Sequence, residues 1–192
     1  MIDANNPIIL ASKSPRRKRI CELADLPYEV FVIDTEETID TQLPVEEVPI
    51  SIAIGKMNAV KEKFSLENRT ILAADTIVEL DGKIIGKPKD RDAAIENLQF
   101  LSGRTHLVVT GVALYTPEKT HQFSEVTYVT FHTLSEQQII YYIDKYAPFD
   151  KAGAYAVQEW IGAVAIKEIK GDFYNVMGLP VQRILTLLDV AL

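Results

Sequence analysis

An α/β fold on a mixed β-sheet is what the amino-acid sequence predicts. Strand-like and helix-like segments alternate along the chain. A tight hairpin signal, Asp81-Gly82, sits between two apolar stretches, so antiparallel pairing is expected among helical crossovers. The 192 residues are 47% hydrophobic, without repeats or low-complexity tracts, enough to bury the core of one domain or of two closely packed lobes.

The apolar run Pro7-Ile8-Ile9-Leu10 reads as a short strand. A helix over 15–24 follows, with Ser14 as N-cap, Pro15 as first helical residue and Ile20, Leu23 and Ala24 on one face. Residues 28–33 read as a strand. A long helix over about 45–64 carries an apolar stripe at Ala53, Met57, Val60 and Phe64. Residues 70–80 and 83–86 form the hairpin around Asp81-Gly82, and helix 91–101 buries Ala94, Leu98 and Leu101 before stopping near Gly103. Strands follow at 105–115 and 126–133. Ser135 and Gln138 make a capping box for helix 136–146. Residues 162–169 read as a strand, and Pro180 opens a C-terminal helix buried through Val181, Ile184, Leu185 and Leu188. The longest loops, 34–44 and 148–162, are the expected site-forming segments.

Charge narrows the partners. A net charge of −7 argues against a nucleic-acid polymer or an anionic membrane surface. Cys21 is the single cysteine, which excludes an internal disulfide and reads as a buried structural thiol. Neither a signal sequence nor an apolar run of membrane-spanning length is present, so a soluble cytoplasmic protein is expected.

Several residues break the local pattern. In Ala11-Ser12-Lys13-Ser14-Pro15-Arg16-Arg17, two serine hydroxyls and two guanidinium groups crowd a helix start whose free N–H groups attract anions. Cations there oppose the helix dipole by about 0.3–1 kcal/mol each. That cost is reasonable if a polyphosphate normally sits at the corner, because arginine forks match phosphate oxygens. Asp75 interrupts the apolar run of residues 71–78; it either caps a strand end or is a paired or metal-bound carboxylate. Lys56 has Ile52, Ala53, Ala59 and Val60 as helical neighbours, so it either snorkels to the surface or projects into a cleft. Ile85-Gly86-Lys87-Pro88 holds a lysine between two conformational punctuation marks. Lys151-Ala152-Gly153-Ala154-Tyr155, with Gln158 beyond it, is a small-residue loop that a ligand can approach. Dinucleotide-fold and P-loop glycine patterns, histidines at metal-ligand spacing and a nucleophile elbow are all missing.

Taken together with Glu36-Glu37, Ser102-Gly103-Arg104-Thr105-His106, Thr110-Gly111-Val112 and Gly178-Leu179-Pro180, these segments resemble the Maf-like family in order and spacing, from about residue 8 to 188. The resemblance implies a fold similar to that of inosine triphosphate pyrophosphatases. That fold is a long mixed sheet with flanking helices, in two lobes around a central cleft, with residues 1–192 as one Maf-like domain. It implies hydrolysis of a nucleoside triphosphate to the monophosphate and pyrophosphate with a divalent metal, Mg²⁺ or Mn²⁺. By this resemblance Asp75 is the general base or metal-bound carboxylate and Glu37 a second metal ligand. Lys56, Lys87, Arg16 and Arg17 clamp phosphates beside Ser12 and Ser14, while Thr76 and Gln158 set specificity. Ala74-Asp75-Thr76, Arg16 and Gln158 resemble the branch that prefers dTTP and UTP. The alternatives are 7-methylguanosine triphosphate as substrate, and a nucleotide-binding regulator of septum formation without turnover. Carboxylates at 37 and 75 suit hard cations that keep their waters, and four cationic side chains match a roughly tetra-anionic ligand. The partner expected is a nucleoside triphosphate, with room for a homodimer.

Overall fold

The computed structural model describes residues 2–35, 40 and 42–189. In chain order its elements are β1 (Ile8–Leu10), α1 (Pro15–Leu23), β2 (Tyr28–Val30), α2 (Val48–Phe64), β3 (Ile71–Leu80), β4 (Lys83–Ile85) and α3 (Arg91–Leu101). There follow β5 (Thr105–Tyr115), β6 (Thr120–Phe131), α4 (Glu136–Tyr146), a 3₁₀ turn (Ala152–Ala154), α5 (Trp160–Ala165), β7 (Ile166–Lys170), α6 (Phe173–Met177) and α7 (Val181–Leu187). The strands form one seven-stranded sheet in the order β2-β1-β3-β5-β6-β7, with β4 paired to β3. β1 is parallel to β2 and β3, whereas β4 is antiparallel to β3 and β7 to β6. The sheet is therefore mixed, as expected.

The chain divides into two compact units: Met1–Asp75 with Thr110–Glu125 and Gly178–Leu192, and Thr76–Val109 with Val126–Met177. In the first, Ile9, Ile71, Ala73 and Ala113 of the strands pack against Ala53, Met57 and Val60 of α2. Those helix positions recur at intervals of three and four, the spacing that puts them on one stripe. Cys21 is fully buried there, and burial pushes its thiol up to about 12, which leaves it inert.

In the second unit, Val78, Leu80, Val108, Val129 and Phe131 pack against α3 through Leu98 and Leu101 and against α4 through Ile139 and Tyr142. Both helices start on side-chain caps. Asp90 accepts from the Ala93 amide at 2.8 Å, and Ser135 and Gln138 form the expected reciprocal box. No helix among the described residues is long and apolar enough to cross a membrane.

Four expectations change. Ser14 occupies the N-cap position of α1 without a side-chain cap; instead its own amide donates to Ser12 Oγ at 3.3 Å. Residues 162–165, expected within a strand, belong with Trp160 and Ile161 to α5, and β7 begins only at Ile166. A six-residue apolar run has no period long enough to separate helix from strand, and the Gly162 amide closes a turn on the Glu159 carbonyl at 2.9 Å. β6 starts at Thr120, where the polar residues Thr120-His121-Gln122 hide a strand from a hydrophobicity reading. β2 stops at Val30 rather than reaching residue 33.

Candidate active site

The first unit holds two groups of candidate residues. Leu10 pairs with Leu72 in parallel register, and the Ala11 amide donates to the Leu72 carbonyl at 2.8 Å. The chain leaves β1 there through Ser12, Lys13 and Ser14 into α1, while β3 runs on three more residues to Asp75. Arg17, expected as a phosphate clamp, is buried. Its Nε donates to the Gly178 carbonyl at 2.8 Å and its Nη1 to Ser12 Oγ at 3.1 Å. Ser12 Oγ thus accepts from both Arg17 and the Ser14 amide, so the arginine braces the loop against the turn that opens α7. Arg16 beside it is half-buried, and Lys13 is exposed and paired with Asp34 at 2.5 Å. The first turn of α1 contains no acidic residue, so nothing in it competes for an anion at the helix start.

The second group is Lys56 and Asp75. Asp75 is the fifth of ten residues in β3, between buried Ala74 and half-buried Thr76, so it is not a strand-end cap. Lys56 does not snorkel away from the protein. Its Nζ donates to Asp75 Oδ1 at 2.7 Å, with the two side chains only 16% and 13% exposed. A carboxylate in mid-strand costs several kcal/mol of desolvation, which an opposite charge offsets without making the pair a net stabiliser. Among the described residues, then, the protein maintains a charged pair where an apolar residue would pack as well. That makes the pair a candidate for chemistry.

Thr76 follows Asp75 on β3 and is half-buried at the start of the second unit. Within that unit Lys87 is exposed directly after β4. The carbonyl of its neighbour Gly86 accepts from the Gly153 amide at 3.2 Å and from Asn97 Nδ2 at 3.4 Å. Two sequence motifs, around Lys87 and around Lys151, are thereby joined. Gln158 is exposed at the end of a run, residues 153–157, that is buried throughout. Glu37 and its neighbour Glu36 lie outside the described residues.

Sequence reasoning missed the buried polar frame around this loop. Lys151 Nζ sits 2.6 Å from Asp150 Oδ1 and 3.4 Å from Glu159 Oε1. Glu159 Oε2 accepts from the Tyr142 hydroxyl. His106 and Tyr155, both buried, share a 2.7 Å hydrogen bond between Nε2 and the phenol oxygen. Burial lowers the His106 pKa to about 3, so the ring is neutral at ordinary pH. The one available sign was the residue types themselves, a lysine and a glutamate eight residues apart in an otherwise small and apolar loop.

The described residues contain no group of three or more His, Cys, Asp or Glu side chains able to hold a metal ion. What they offer is one hard oxygen donor, Asp75. That set does not suit a closed zinc-type site, but it fits Mg²⁺ or Mn²⁺, which bind through one or two carboxylates and take further ligands from substrate phosphates and water.

Comparison with known proteins gives the chain its relatives. A family model described as "Maf-like protein" matches residues 7–191. A dTTP/UTP pyrophosphatase of Bacteroides thetaiotaomicron is 47% identical over 178 residues, covering 92% of each chain. One of Bacillus cytotoxicus is 49% identical over 176 residues, covering 92% of this chain and 91% of its own. Among solved structures, the Ham1 protein of Staphylococcus aureus superposes with a TM-score of 0.53 at 20% identity, over 96% of this chain and 98% of its own. That likeness concerns the fold alone.

Proposed function

The chain belongs to the Maf-like family, and from that membership we propose that it hydrolyses dTTP and UTP to the nucleoside monophosphate and pyrophosphate with a divalent metal. As a nucleoside triphosphate pyrophosphatase it is a hydrolase acting on an acid anhydride, like the relatives it matches over nine-tenths of its length. The single observation that carries the mechanism is the Lys56–Asp75 pair between α2 and β3.

Water attacks the α-phosphorus, the bond to the bridging oxygen breaks, and pyrophosphate leaves. Asp75 orients that water and accepts its proton as the new P–O bond forms. Lys56 keeps the carboxylate in place and adds positive charge near the phosphates. Arg16, Lys87 and the amides at the start of α1 hold the β- and γ-phosphates with Ser12 and Ser14, and Arg17 supports that loop from beneath. Thr76 and Gln158 read the nucleoside. Mg²⁺ or Mn²⁺, held by Asp75 with Glu37, would neutralise charge developing on the phosphate oxygens. Such an enzyme works where nucleotide pools are, so we place it in the cytoplasm.

Ala74-Asp75-Thr76 and the names of the relatives favour pyrimidine nucleotides over 7-methylguanosine triphosphate. A regulator without turnover has no need of a charged pair in mid-strand. The test is a product assay over a panel of triphosphates with added Mg²⁺ or Mn²⁺. The reading expects pyrophosphate from dTTP and UTP, little from ATP or GTP, and loss of turnover with chelator. Orthophosphate as first product, or equal rates on all bases, overturns it.

A further inference from the structure

Residues 150–159 are held at several points. Lys151, its side chain 9% exposed, bridges Asp150 and Glu159, so one buried cation joins residues nine apart and closes the loop. Glu159 is the N-cap residue of α5, yet its side chain makes no cap bond, because both carboxylate oxygens are engaged by Lys151 and Tyr142. In the middle, Gly153 adopts φ +69° and donates to the Gly86 carbonyl, with Val78 only 3.2 Å from where a Cβ would lie. Tyr155 is anchored by His106 and packs edge-on against Phe131.

This frame is expensive if its purpose is stability. Taking a lysine and much of a glutamate out of water is costly, and apolar residues of similar volume fill such sites at least as well. Its visible product is geometric. Residues 153–157 are buried and Gln158, next to the ion-paired Glu159, is exposed. The same loop grips Gly86, the residue before Lys87.

Chemistry gives that geometry a use. The edge of uracil or thymine offers an N3–H donor beside an O4 acceptor, whereas cytosine offers an N3 acceptor beside an amino donor. A glutamine amide carries both a donor and an acceptor, so after a half-turn it serves either pattern. Discrimination therefore requires that the glutamine be held at a fixed place and angle. We propose that Lys151 is a positioning residue for nucleobase selection: its ion pair with Glu159 closes the loop and fixes Gln158, together with Lys87, for uracil and thymine rather than cytosine. The inference rests on the reading above, in which Gln158 faces the base and Lys87 the phosphates.

The experiment measures kcat and KM for UTP and CTP on the wild type, Lys151→Met, Lys151→Arg and Glu159→Gln. For Lys151→Met the UTP-to-CTP ratio of kcat/KM falls about tenfold or more, mainly through KM, while kcat for UTP stays within a few-fold. Lys151→Arg, able to form the same ion pair, keeps most of the preference. Amide exchange of residues 153–157 speeds up in Lys151→Met. In a Gln158→Ala background the Lys151 change no longer moves the ratio. If Lys151→Met does not fold, Glu159→Gln, which keeps shape and the Tyr142 bond, decides by the same ratio. A lower melting temperature with an unchanged ratio overturns the inference and leaves Lys151 a structural residue. A wild type without preference for UTP over CTP would instead sink the proposed function.

Discussion

Lys56 reaches across from a helix to a carboxylate in the middle of a strand, whereas Lys151 joins two carboxylates of its own loop. Both are half-buried or buried lysines with an acidic partner, and net charge alone would not separate them. Their surroundings do. Lys151 and Glu159 sit in a closed set with Asp150 and Tyr142, so the charges are occupied by one another. Asp75 meets Lys56, its side-chain partner among the described residues, through Oδ1, whereas Glu159 has both oxygens engaged, so the second Asp75 oxygen is the one with room for a ligand. A saturated ion pair holds a loop in place. One left partly open can take part in a reaction.

The largest expected effect is at the open pair. Asp75→Asn keeps side-chain shape but removes the charge and proton acceptor, so kcat for UTP falls on the order of 10²–10⁴-fold while the fold persists. Steady-state rates with a circular-dichroism melt check this, and activity within a few-fold of the parent would make the two pairs equivalent. Lys56→Met comes next. It leaves the Asp75 carboxylate without its counter-charge in a nearly dry place, so the melting temperature falls, and kcat/KM falls several-fold to hundreds-fold. Unchanged kinetics would move Lys56 into the structural class with Lys151.

The frame of the loop shows itself in pH rather than turnover. His106 has its folded pKa depressed to about 3, below the ordinary value near 6.5. The unfolded chain therefore binds this proton more readily than the folded one. Stability from this group is full above the unfolded value and is lost as pH falls from about 6.5 towards 3. Urea midpoints at pH 7, 5.5 and 4 should fall more steeply for the wild type than for His106→Phe, which has nothing to protonate there. Parallel slopes would show that burial does not hold His106 neutral in the folded protein. The smallest effect belongs to an exposed pair, Arg19 and Glu22, with side chains 63% and 49% exposed. Arg19→Ala should shift the melting temperature by no more than about 1–2 °C and leave kinetics alone. A larger change would mean that exposure is a poor guide to which pairs matter.

What could be read from the residues followed the same division. Asp75 and Lys56 were visible because each breaks a regular pattern, one in an apolar strand and one on the apolar side of a helix. The geometry then joined them. Lys151 gave no such contrast, since a lysine beside alanine and glycine in a loop looks solvated until tertiary packing covers it. Arg17 is a different case: its charge at a helix start suggests direct phosphate contact, and the fold adds donor bonds to Ser12 and Gly178 that the residues alone do not show. Long-range partners of that kind, 161 residues apart, have no local signature. The strands and helices with clear periods or caps appeared where expected. Residues 162–165 did not, because a short apolar run satisfies helix and strand equally.

Hydrolysis of UTP in ¹⁸O-labelled water, run side by side with wild type and Asp75→Asn, tests the role of the open pair most directly. The account predicts one ¹⁸O in UMP, unlabelled pyrophosphate, and no detectable label transfer by the folded Asp75→Asn protein. Label in pyrophosphate or orthophosphate, or equal label transfer by the two proteins, would contradict it.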